Sequence, residues 1–403
     1  MDDRDQVNRR DFIATTAGAA GVATTLAGTA AFAQPAPVGP PPKELPAPAG
    51  FQDQKPIRKY WNRPLNEIVE INPVDTAPEL ATEAGKERHK IYCYLLMKLI
   101  VRFWNGNKRG PLGSYPWRAK QTEPVSPAQP PQPTIRYRGD MIDNPDRARI
   151  NWDRYLGHNI ACVAVDGNGE IIDFDFNHND FFRSTAEHAE SRMVRRLFSL
   201  ADIFDSWRTG QPSQGRSKAA SLNDVTLYTS LESCAQCSGV MSLAQVKQIV
   251  YLQNDFTTYK IGNIMFNLAN NLPSGAPGAP LPIAGSDIGL SHFQTLNEAH
   301  LDFLAKIKEA KEKNDTSRAF YVSPDKTFVD FDQSITSFLC TDASREIFDD
   351  GGKQLDRIEL KYPDYRPPSA GAQTLTNAQC LKEARDFFAY ADIEGYRGSP
   401  HKL

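Results

Sequence analysis

The sequence predicts an α/β fold in which helices cover both faces of a mixed sheet. Strand-like runs alternate with helical runs from residue 160 onward, which is typical of such layered folds. The first two strand-like runs, 160–165 and 170–176, are joined by Asp166-Gly167-Asn168-Gly169, whose composition is typical of a hairpin turn. Upstream, Ile91, Leu95 and Leu99 recur every fourth residue and predict a helix within 78–104.

The remaining elements follow from the same periodicities and from turn residues. The predicted order is a helix from His188 to about Trp207, a strand at 225–229, a helix starting at Cys234, a strand at 248–252, a helix at 261–269, a strand at 282–288 and a helix at 294–311. Two further helices are predicted at 342–355 and 377–390. We expect Gly351-Gly352 to break the first of these two.

Composition shifts divide the chain into four parts. Residues 1–33 are a leader, 34–77 a proline-rich linker, 78–314 the main domain and 315–403 a C-terminal extension. Within the main domain, the dense prolines of 105–153 are incompatible with helix or central strand and predict a surface insertion. The extension carries no catalytic motif, and either a cover over a site or an oligomer interface, such as that of a homodimer, is compatible with it.

Charge and cysteine content exclude several classes of protein. Lys plus Arg number 46 against 49 Asp plus Glu, so the net charge of −3 gives no overall attraction to nucleic acid. Six cysteines are too few for a disulfide scaffold. Cys93 and Cys162 lie in apolar runs and are predicted to be core residues, whereas Cys340 and Cys380 could pair in an oxidising compartment.

Two short motifs supply a metal site. His188-Ala189-Glu190 and the later Cys234-Ala235-Gln236-Cys237 provide one imidazole, two thiols and a carboxylate. Imidazole and thiolates are ligands that Zn²⁺ prefers, and three protein ligands leave a coordination position open, as in catalytic zinc sites. Taken alone, Cys234 and Cys237 could instead form a redox or disulfide pair, and Glu190 could be a solvated carboxylate on a charged helix.

The order of the motifs, His-x-Glu and then Cys-x-x-Cys, resembles the signature of zinc-dependent deaminases. Residues from about 150 to 270 are similar to the cytidine-deaminase superfamily, most of all to its branch of tRNA adenosine deaminases and guanine deaminases. The run 229–234, ending Leu-Glu-Ser-Cys, is similar to that family's Leu-Glu-Pro-Cys, and Asn177 stands eleven residues before His188, as the branch's base-binding asparagine does. The resemblance implies a three-layer α/β/α sandwich with a mixed five-stranded sheet and a bound Zn²⁺.

The resemblance also implies roles for individual residues. His188, Cys234 and Cys237 would bind zinc, Glu190 would shuttle protons, and Asn177 would bind the substrate base. The polar run 177–180 is also compatible with a simple turn, which is the alternative for Asn177. Asp255 would line the pocket or would be an ordinary loop residue. Ser233 stands where the family has proline, and a serine there could cap the N-terminus of the following helix.

The leader indicates where the protein acts. Residues 8–13, Asn-Arg-Arg-Asp-Phe-Ile, precede a mildly apolar stretch ending Ala31-Phe32-Ala33, which resembles a twin-arginine signal with cleavage before Gln34. A retained anchor is the alternative. The signal implies export of the folded protein by the twin-arginine translocase to the periplasm or beyond, away from cellular tRNA.

The resulting hypothesis is an exported zinc-dependent hydrolytic deaminase of a nucleobase, nucleoside or related amino-substituted heterocycle. A non-catalytic zinc protein of the same fold that serves as a binding scaffold is the alternative. A toxin that deaminates foreign nucleic acid is a third hypothesis, and the lack of a basic stripe argues against it.

Overall fold

Five strands form one mixed sheet in the order β2-β1-β3-β4-β5. The strands are β1 (Ala161–Val165), β2 (Ile171–Phe176), β3 (Thr226–Thr229), β4 (Gln248–Tyr251) and β5 (Leu281–Ala284). Both neighbours of β1 run antiparallel to it, whereas β3, β4 and β5 are parallel to one another. The computed structural model therefore confirms the mixed five-stranded sheet with helices on both faces that the sequence predicts.

The structure describes only part of the chain. The described residues are 64–104, 157–179, 184–202, 221–269, 278–315, 321–322, 329–331, 333–368 and 371–394, and all belong to one compact unit that spans residues 55–403. The predicted leader, most of the predicted linker and the whole of the predicted insertion 105–153 lie outside them. No helix among the described residues is long and apolar enough to cross a membrane.

Nine α-helices are described. They are α1 (Leu65–Ile68), α2 (Glu83–Arg102), α3 (Ala189–Asp202), α4 (Ala235–Leu243), α5 (Ile261–Ala269), α6 (Ser291–Glu312), α7 (Ile335–Phe338), α8 (Asp342–Arg357) and α9 (Asn377–Glu394), and a two-stranded ribbon, β6 (Tyr321–Val322) with β7 (Val329–Asp330), lies after α6. Each predicted helix and strand of the main domain has a counterpart, but the predicted strand at 282–288 is shorter, because β5 ends at Ala284. Residues 203–207, at the end of the helix predicted from His188, lie outside the described residues. The predicted helix at 78–104 begins as a short 3-10 turn at Pro78–Ala81, and Thr82 then caps α2 by accepting a hydrogen bond from the Gly85 N–H.

The first hairpin is built by its aspartate. Asp166 Oδ1 accepts hydrogen bonds from the N–H groups of Asn168 and Glu170, at 2.9 and 2.8 Å. Gly169 has a φ of +91°, which only glycine adopts readily. This local chemistry explains why the turn could be predicted from its sequence.

The alternation of side chains along β2 separates the two helical layers. Asp173 and Asp175 face α3, where Arg196 pairs with both carboxylates. Phe174 and Phe176 face the opposite side, where Phe174 stacks on Phe103 at a centroid distance of 5.4 Å. The sheet is therefore polar toward α3 at this edge and apolar toward α2 and α9.

The C-terminal extension is part of the fold, because α8 packs along α2. The prediction that Gly351-Gly352 breaks this helix is wrong, since α8 continues to Arg357. A Cβ atom on Gly351 would overlap the Met97 sulfur, and one on Gly352 would lie 2.9 Å from the Lys98 Cα. The glycines allow close approach of the two helices, and this packing outweighs their low helix propensity.

Two further features concern the cysteines and the linker. Cys340 and Cys380 are both buried free thiols and form no disulfide. They are held in separate environments: Cys380 packs beside the Gly169 turn, and Cys340 follows the short helix α7. Residues 64–77, at the end of the predicted linker, are folded against α5, where Asn263 Nδ2 donates to the Val69 carbonyl at 2.8 Å.

Candidate metal centre and its carboxylate

The sheet topology brings the two motifs together. Strands β2 and β3 both pair antiparallel with β1, so their carboxyl ends lie at the same edge of the sheet. His188 immediately precedes α3, which follows β2, and Cys234 is the N-cap of α4, which follows β3. The N-termini of the two helices therefore meet, as the resemblance implies.

The ligand atoms of His188, Cys234 and Cys237 lie within 4.8 Å of one another. His188 Nδ1 is 3.4 Å from Cys234 Sγ and 3.6 Å from Cys237 Sγ. Tetrahedral zinc with ordinary bond lengths would separate a nitrogen and a sulfur ligand by about 3.5 Å. The three side chains thus fit one Zn²⁺ ion by both donor type and spacing.

The two thiols share protons unequally. The hydrogen bond with Cys237 lowers the pKa of the Cys234 thiol to about 4, and His188 adds a second hydrogen bond to Cys234. The pKa of Cys237 is raised by that hydrogen bond and by burial. One thiolate therefore forms readily, and the second is favoured when a cation lies between the two sulfurs.

Glu190 points toward these ligands although it is only two residues from His188. On a regular helix the two side chains would diverge, but His188 lies before the first helical residue, so the helical angle does not apply to it. Glu190 Oε2 is 3.4 Å from Cys237 Sγ. Its carboxylate is buried, with 3% of the residue exposed, and burial raises its pKa.

The second oxygen of Glu190 is anchored. Glu190 Oε1 accepts hydrogen bonds from the hydroxyls of Thr229 and Ser233, each at 3.2 Å. The expectation that Ser233 caps the following helix is wrong, because its hydroxyl is directed to Glu190 and the N-cap residue, Cys234, has no side-chain capping bond. The carboxylate is therefore fixed at Oε1, while Oε2 faces the metal ligands.

Asn177 holds the start of α3. Its Oδ1 accepts a hydrogen bond of 2.7 Å from the N–H of Ala189, and 1% of the residue is exposed. Within the described part of the chain, its Nδ2 group makes no hydrogen bond and remains available as a donor. The structure thus gives Asn177 a position beside the motif, and base binding by it stays a prediction.

A short hydrogen-bond chain supports the buried thiol. Ser191 Oγ lies 3.4 Å from Cys237 Sγ, and Gln236 Nε2 donates to Ser191 Oγ at 3.3 Å and to the Ala186 carbonyl at 2.8 Å. The amide of Gln236 occupies one acceptor site of Ser191 Oγ, and a Cys237 thiolate, which has no proton, would accept the serine hydrogen. This pair cannot be recognised from the sequence, since serine and glutamine beside a ligand have no distinctive spacing.

The arginines after Glu190 form a buried ion-pair network. Arg192 and Arg196 are 7% and 4% exposed, and both pair with Asp175, at 3.3 and 3.1 Å. Arg192 also pairs with Glu187 at 2.9 Å. The alternative that α3 is a charged helix with a solvated surface is therefore wrong for this face of the helix. The network fixes the helix that carries Glu190 against the strand that ends at Asn177.

Asp255 is tied to the same edge of the sheet. Its N–H donates to Glu232 Oε2 at 3.1 Å, and its own Oδ1 accepts from the N–H and hydroxyl of Thr257, at 2.9 and 2.5 Å. Burial raises the pKa of Glu232 to about 7. The Asp255 carboxylate thus closes its own turn, and a role as a pocket wall stays a prediction.

Comparison with known proteins places this site in a class. Residues 147–253 match the family model described as the cytidine and deoxycytidylate deaminase zinc-binding region, and both motifs lie within the match. This part of the chain is therefore similar to a deaminase zinc-binding region, and the mixed five-stranded sheet with helices on both faces is arranged as in the cytidine-deaminase-like fold. The three ligands and the family match together identify zinc as the cofactor.

Two solved structures illustrate more particular likenesses. A tRNA:A34 deaminase from a study of A-to-I editing at the wobble position is 20% identical, with 32% of this chain and 82% of that chain covered and a TM-score of 0.23. A guanine deaminase from Nitrosomonas europaea is 19% identical, with 45% and 92% covered and a TM-score of 0.23. No curated protein matches the chain.

Proposed function

We propose that this protein is an exported zinc-dependent deaminase that hydrolyses an amino-substituted heterocycle, with a nucleobase or nucleoside as the substrate class. One observation carries the proposal: the buried Glu190 carboxylate is anchored at Oε1 and presents Oε2 to the zinc ligands. The partner of Oε2 is the zinc ligand Cys237, whose Sγ donates to it at 3.4 Å. Cys237 would lose this proton on binding zinc as a thiolate, which would leave Oε2 to a reacting group beside the metal position.

Zinc, when bound to His188, Cys234 and Cys237, supplies Lewis-acid chemistry that acidifies a water molecule toward neutral pH. Glu190 would accept one proton of the attacking water at Oε2 while the water oxygen bonds to the ring carbon that carries the amine. The same carboxyl group would deliver that proton to the departing amine, so ammonia leaves, and the second water proton passes to the adjacent ring nitrogen as the carbonyl forms. The raised pKa of Glu190 suits this exchange, because the carboxyl group must both gain and lose a proton near neutral pH.

Asn177 would orient the ring. Its Oδ1 is used by Ala189, so the Nδ2 group is the part that could donate to an acceptor on a bound heterocycle. A donor from a buried, fixed side chain discriminates well between ring edges, because an unmatched edge leaves it unsatisfied. The resemblance to the guanine and tRNA adenosine deaminase branch favours a purine. The net charge of −3 favours a small molecule over a polyanion.

Export and assembly are further parts of the proposal. Arg9-Arg10 with the small-residue stretch that follows supports recognition by the twin-arginine translocase and delivery to the periplasm. Replacement of Arg9 and Arg10 by lysine should retain the protein in the cytoplasm, which fractionation would detect.

A homodimer is compatible with the C-terminal helices, and sedimentation of the zinc-loaded protein would test it.

The decisive experiment measures zinc content and ammonia release for the wild-type protein and for Glu190→Gln across a panel of purine and pyrimidine bases and nucleosides. We expect wild-type turnover of at least one compound, a loss of about 10³-fold or more in the variant and equal zinc content in both. A zinc-loaded wild-type protein that releases no ammonia from any compound would favour the scaffold alternative. Zinc loss in Glu190→Gln would mean that Glu190 is a ligand and not a proton shuttle.

A further inference from the structure

Ser233 occupies an unusual place beside the metal centre. It immediately precedes the ligand Cys234, is 5% exposed and donates its hydroxyl to Glu190 Oε1 at 3.2 Å. The deaminase pattern that the sequence resembles has proline here, and proline has no side-chain donor. This hydrogen bond is therefore a feature of the present chain that its family resemblance does not explain.

A second hydroxyl donates to the same oxygen of Glu190. Thr229, at the end of β3, is fully buried and donates to the same oxygen of Glu190 at 3.2 Å. Two hydroxyl donors on one carboxylate oxygen favour negative charge on that oxygen and disfavour its protonation. The other oxygen, Oε2, accepts one hydrogen bond, from Cys237 Sγ at 3.4 Å, and this donor would be lost when Cys237 binds zinc as a thiolate. A proton that Glu190 accepts is then directed to Oε2.

Ser233 has no evident alternative purpose. Its hydroxyl does not cap α4, whose N-cap residue is Cys234 and has no side-chain capping bond. The position is set by its neighbours on both sides, because Cys234 binds at the metal position and the Glu232 N–H donates to the Gln253 carbonyl at 2.8 Å. The backbone thus holds the serine where its hydroxyl meets Glu190.

We infer that Ser233 is a positioning residue for deamination: together with Thr229 it fixes the Glu190 carboxylate so that Oε2 alone carries the proton from water to the leaving amine. The inference rests on the proposed function. It adds that proton transfer in this chain depends on a hydroxyl at the position before the first cysteine. The water proton goes to Oε2, and the same proton leaves with ammonia, so the Ser233 and Thr229 hydroxyls return unchanged.

The test compares Ser233→Ala, Ser233→Pro and Ser233→Thr in the zinc-loaded full-length protein, with the best substrate of the panel. Alanine should lower kcat about tenfold, because the variant lacks a hydrogen bond to the charged carboxylate that transfers the proton. KM and zinc content should be unchanged, because this hydrogen bond contributes neither to substrate binding nor to zinc binding. Threonine retains the hydroxyl and should restore kcat to within about threefold. Ser242→Ala is the matched control, because its hydroxyl bonds only the Ser238 carbonyl within the described residues and kcat should not change.

The proline variant distinguishes a role of residue 233 in starting α4 from a role of its hydroxyl at Glu190. It supplies a residue well suited to a helix start without the hydroxyl. Loss of activity equal to that of alanine supports the inference, and wild-type activity overturns it. Unchanged kcat in Ser233→Ala, or loss of zinc from it, would also overturn it. If Ser233→Ala does not fold, the comparison of the proline and threonine variants decides. If Glu190→Gln is inert while Ser233→Ala keeps wild-type kcat, only this inference fails, whereas an active Glu190→Gln removes the proposed function itself.

Discussion

The side chain of Asn177 caps the backbone of Ala189: its Oδ1 accepts the Ala189 N–H at 2.7 Å. The hydrogen bond joins the residue after β2 to the first residue of α3. His188 precedes Ala189 and Glu190 follows it, so one amide oxygen fixes the segment that carries both a metal ligand and the catalytic candidate. A residue predicted to contact substrate therefore has a structural task as well, and its two amide atoms allow the tasks to be separated.

We expect Asn177→Asp and Asn177→Ala to differ. Aspartate keeps an acceptor for the Ala189 N–H at a helix N-terminus, where negative charge is favourable, so stability and zinc content should be retained. It lacks the Nδ2 donor, and KM for the best substrate should rise about tenfold or more. Alanine loses the cap as well and should reduce the free energy of unfolding by about 1–2 kcal/mol. Denaturation curves and steady-state kinetics measure both effects. An unchanged KM in Asn177→Asp would limit this residue to its structural role.

The metal ligands could be predicted from sequence because their chemistry is encoded locally. His188, Cys234 and Cys237 are rare residue types at a spacing that places two of them on one helix start. The hairpin was predictable for the same reason, because Asp166 and Gly169 act within their own turn. The structure forms this hairpin and brings the three ligand atoms within 4.8 Å of one another.

The hydrogen bonds and ion pairs around the site could not be predicted, because they depend on which helices and strands approach each other. Nothing in the sequence distinguishes Thr229 and Ser233 from other hydroxyl residues. They reach Glu190 only because the end of β3 lies against the first turn of α3. Asp175 in β2 has the pattern of a solvent-facing strand residue but pairs with Arg192 and Arg196 in the interior. Helix-breaking by Gly351-Gly352 was wrong for a related reason, since tertiary packing overrode local propensity.

Removal of the Ser191 hydroxyl should weaken zinc binding. Ser191 Oγ lies 3.4 Å from Cys237 Sγ and is oriented by Gln236, an arrangement that stabilises the thiolate over the thiol. We expect Ser191→Ala to lower zinc affinity about 10- to 100-fold, measured by competition with a chromophoric chelator. Gln236→Ala should show a smaller effect in the same direction, because it only orients the serine. Ser242→Ala serves as the control. Equal affinities in all four proteins would exclude support of Cys237 by this chain.

Burial of His89 should make the protein sensitive to acid. His89 Nδ1 is 2.9 Å from the Tyr228 hydroxyl, and burial, with the nearby charges of Arg88 and Lys247, lowers its pKa to about 3. Between the unfolded pKa of about 6.5 and the folded pKa, only the unfolded state takes up this proton, so stability falls as pH falls. The contribution is about 1.4 kcal/mol per pH unit across that window, and it is absent above pH 6.5.

His89→Gln removes the titrating group and keeps hydrogen-bonding capacity toward Tyr228. Its free energy of unfolding, measured by urea denaturation between pH 4 and 7, should fall less steeply with acid than that of the wild-type protein. The metal ligands titrate equally in both proteins, so the difference between the two slopes isolates His89. Parallel slopes would show that His89 is accessible to protons in the folded state.

The two glycines of α8 should respond unequally to alanine. At Gly352 the new Cβ would lie 2.9 Å from the Lys98 Cα, which is backbone and cannot move without shifting α2. At Gly351 the obstacle is the end of the Met97 side chain, which can change rotamer. We therefore expect Gly352→Ala to reduce the free energy of unfolding by about 2–3 kcal/mol and Gly351→Ala by less. Gly239 in α4 is the matched control, because a Cβ there meets no described atom within 4 Å and alanine should stabilise that helix by up to about 1 kcal/mol. Urea denaturation of the three variants decides between close helix packing and simple helix propensity, since propensity alone would make all three alanines stabilising.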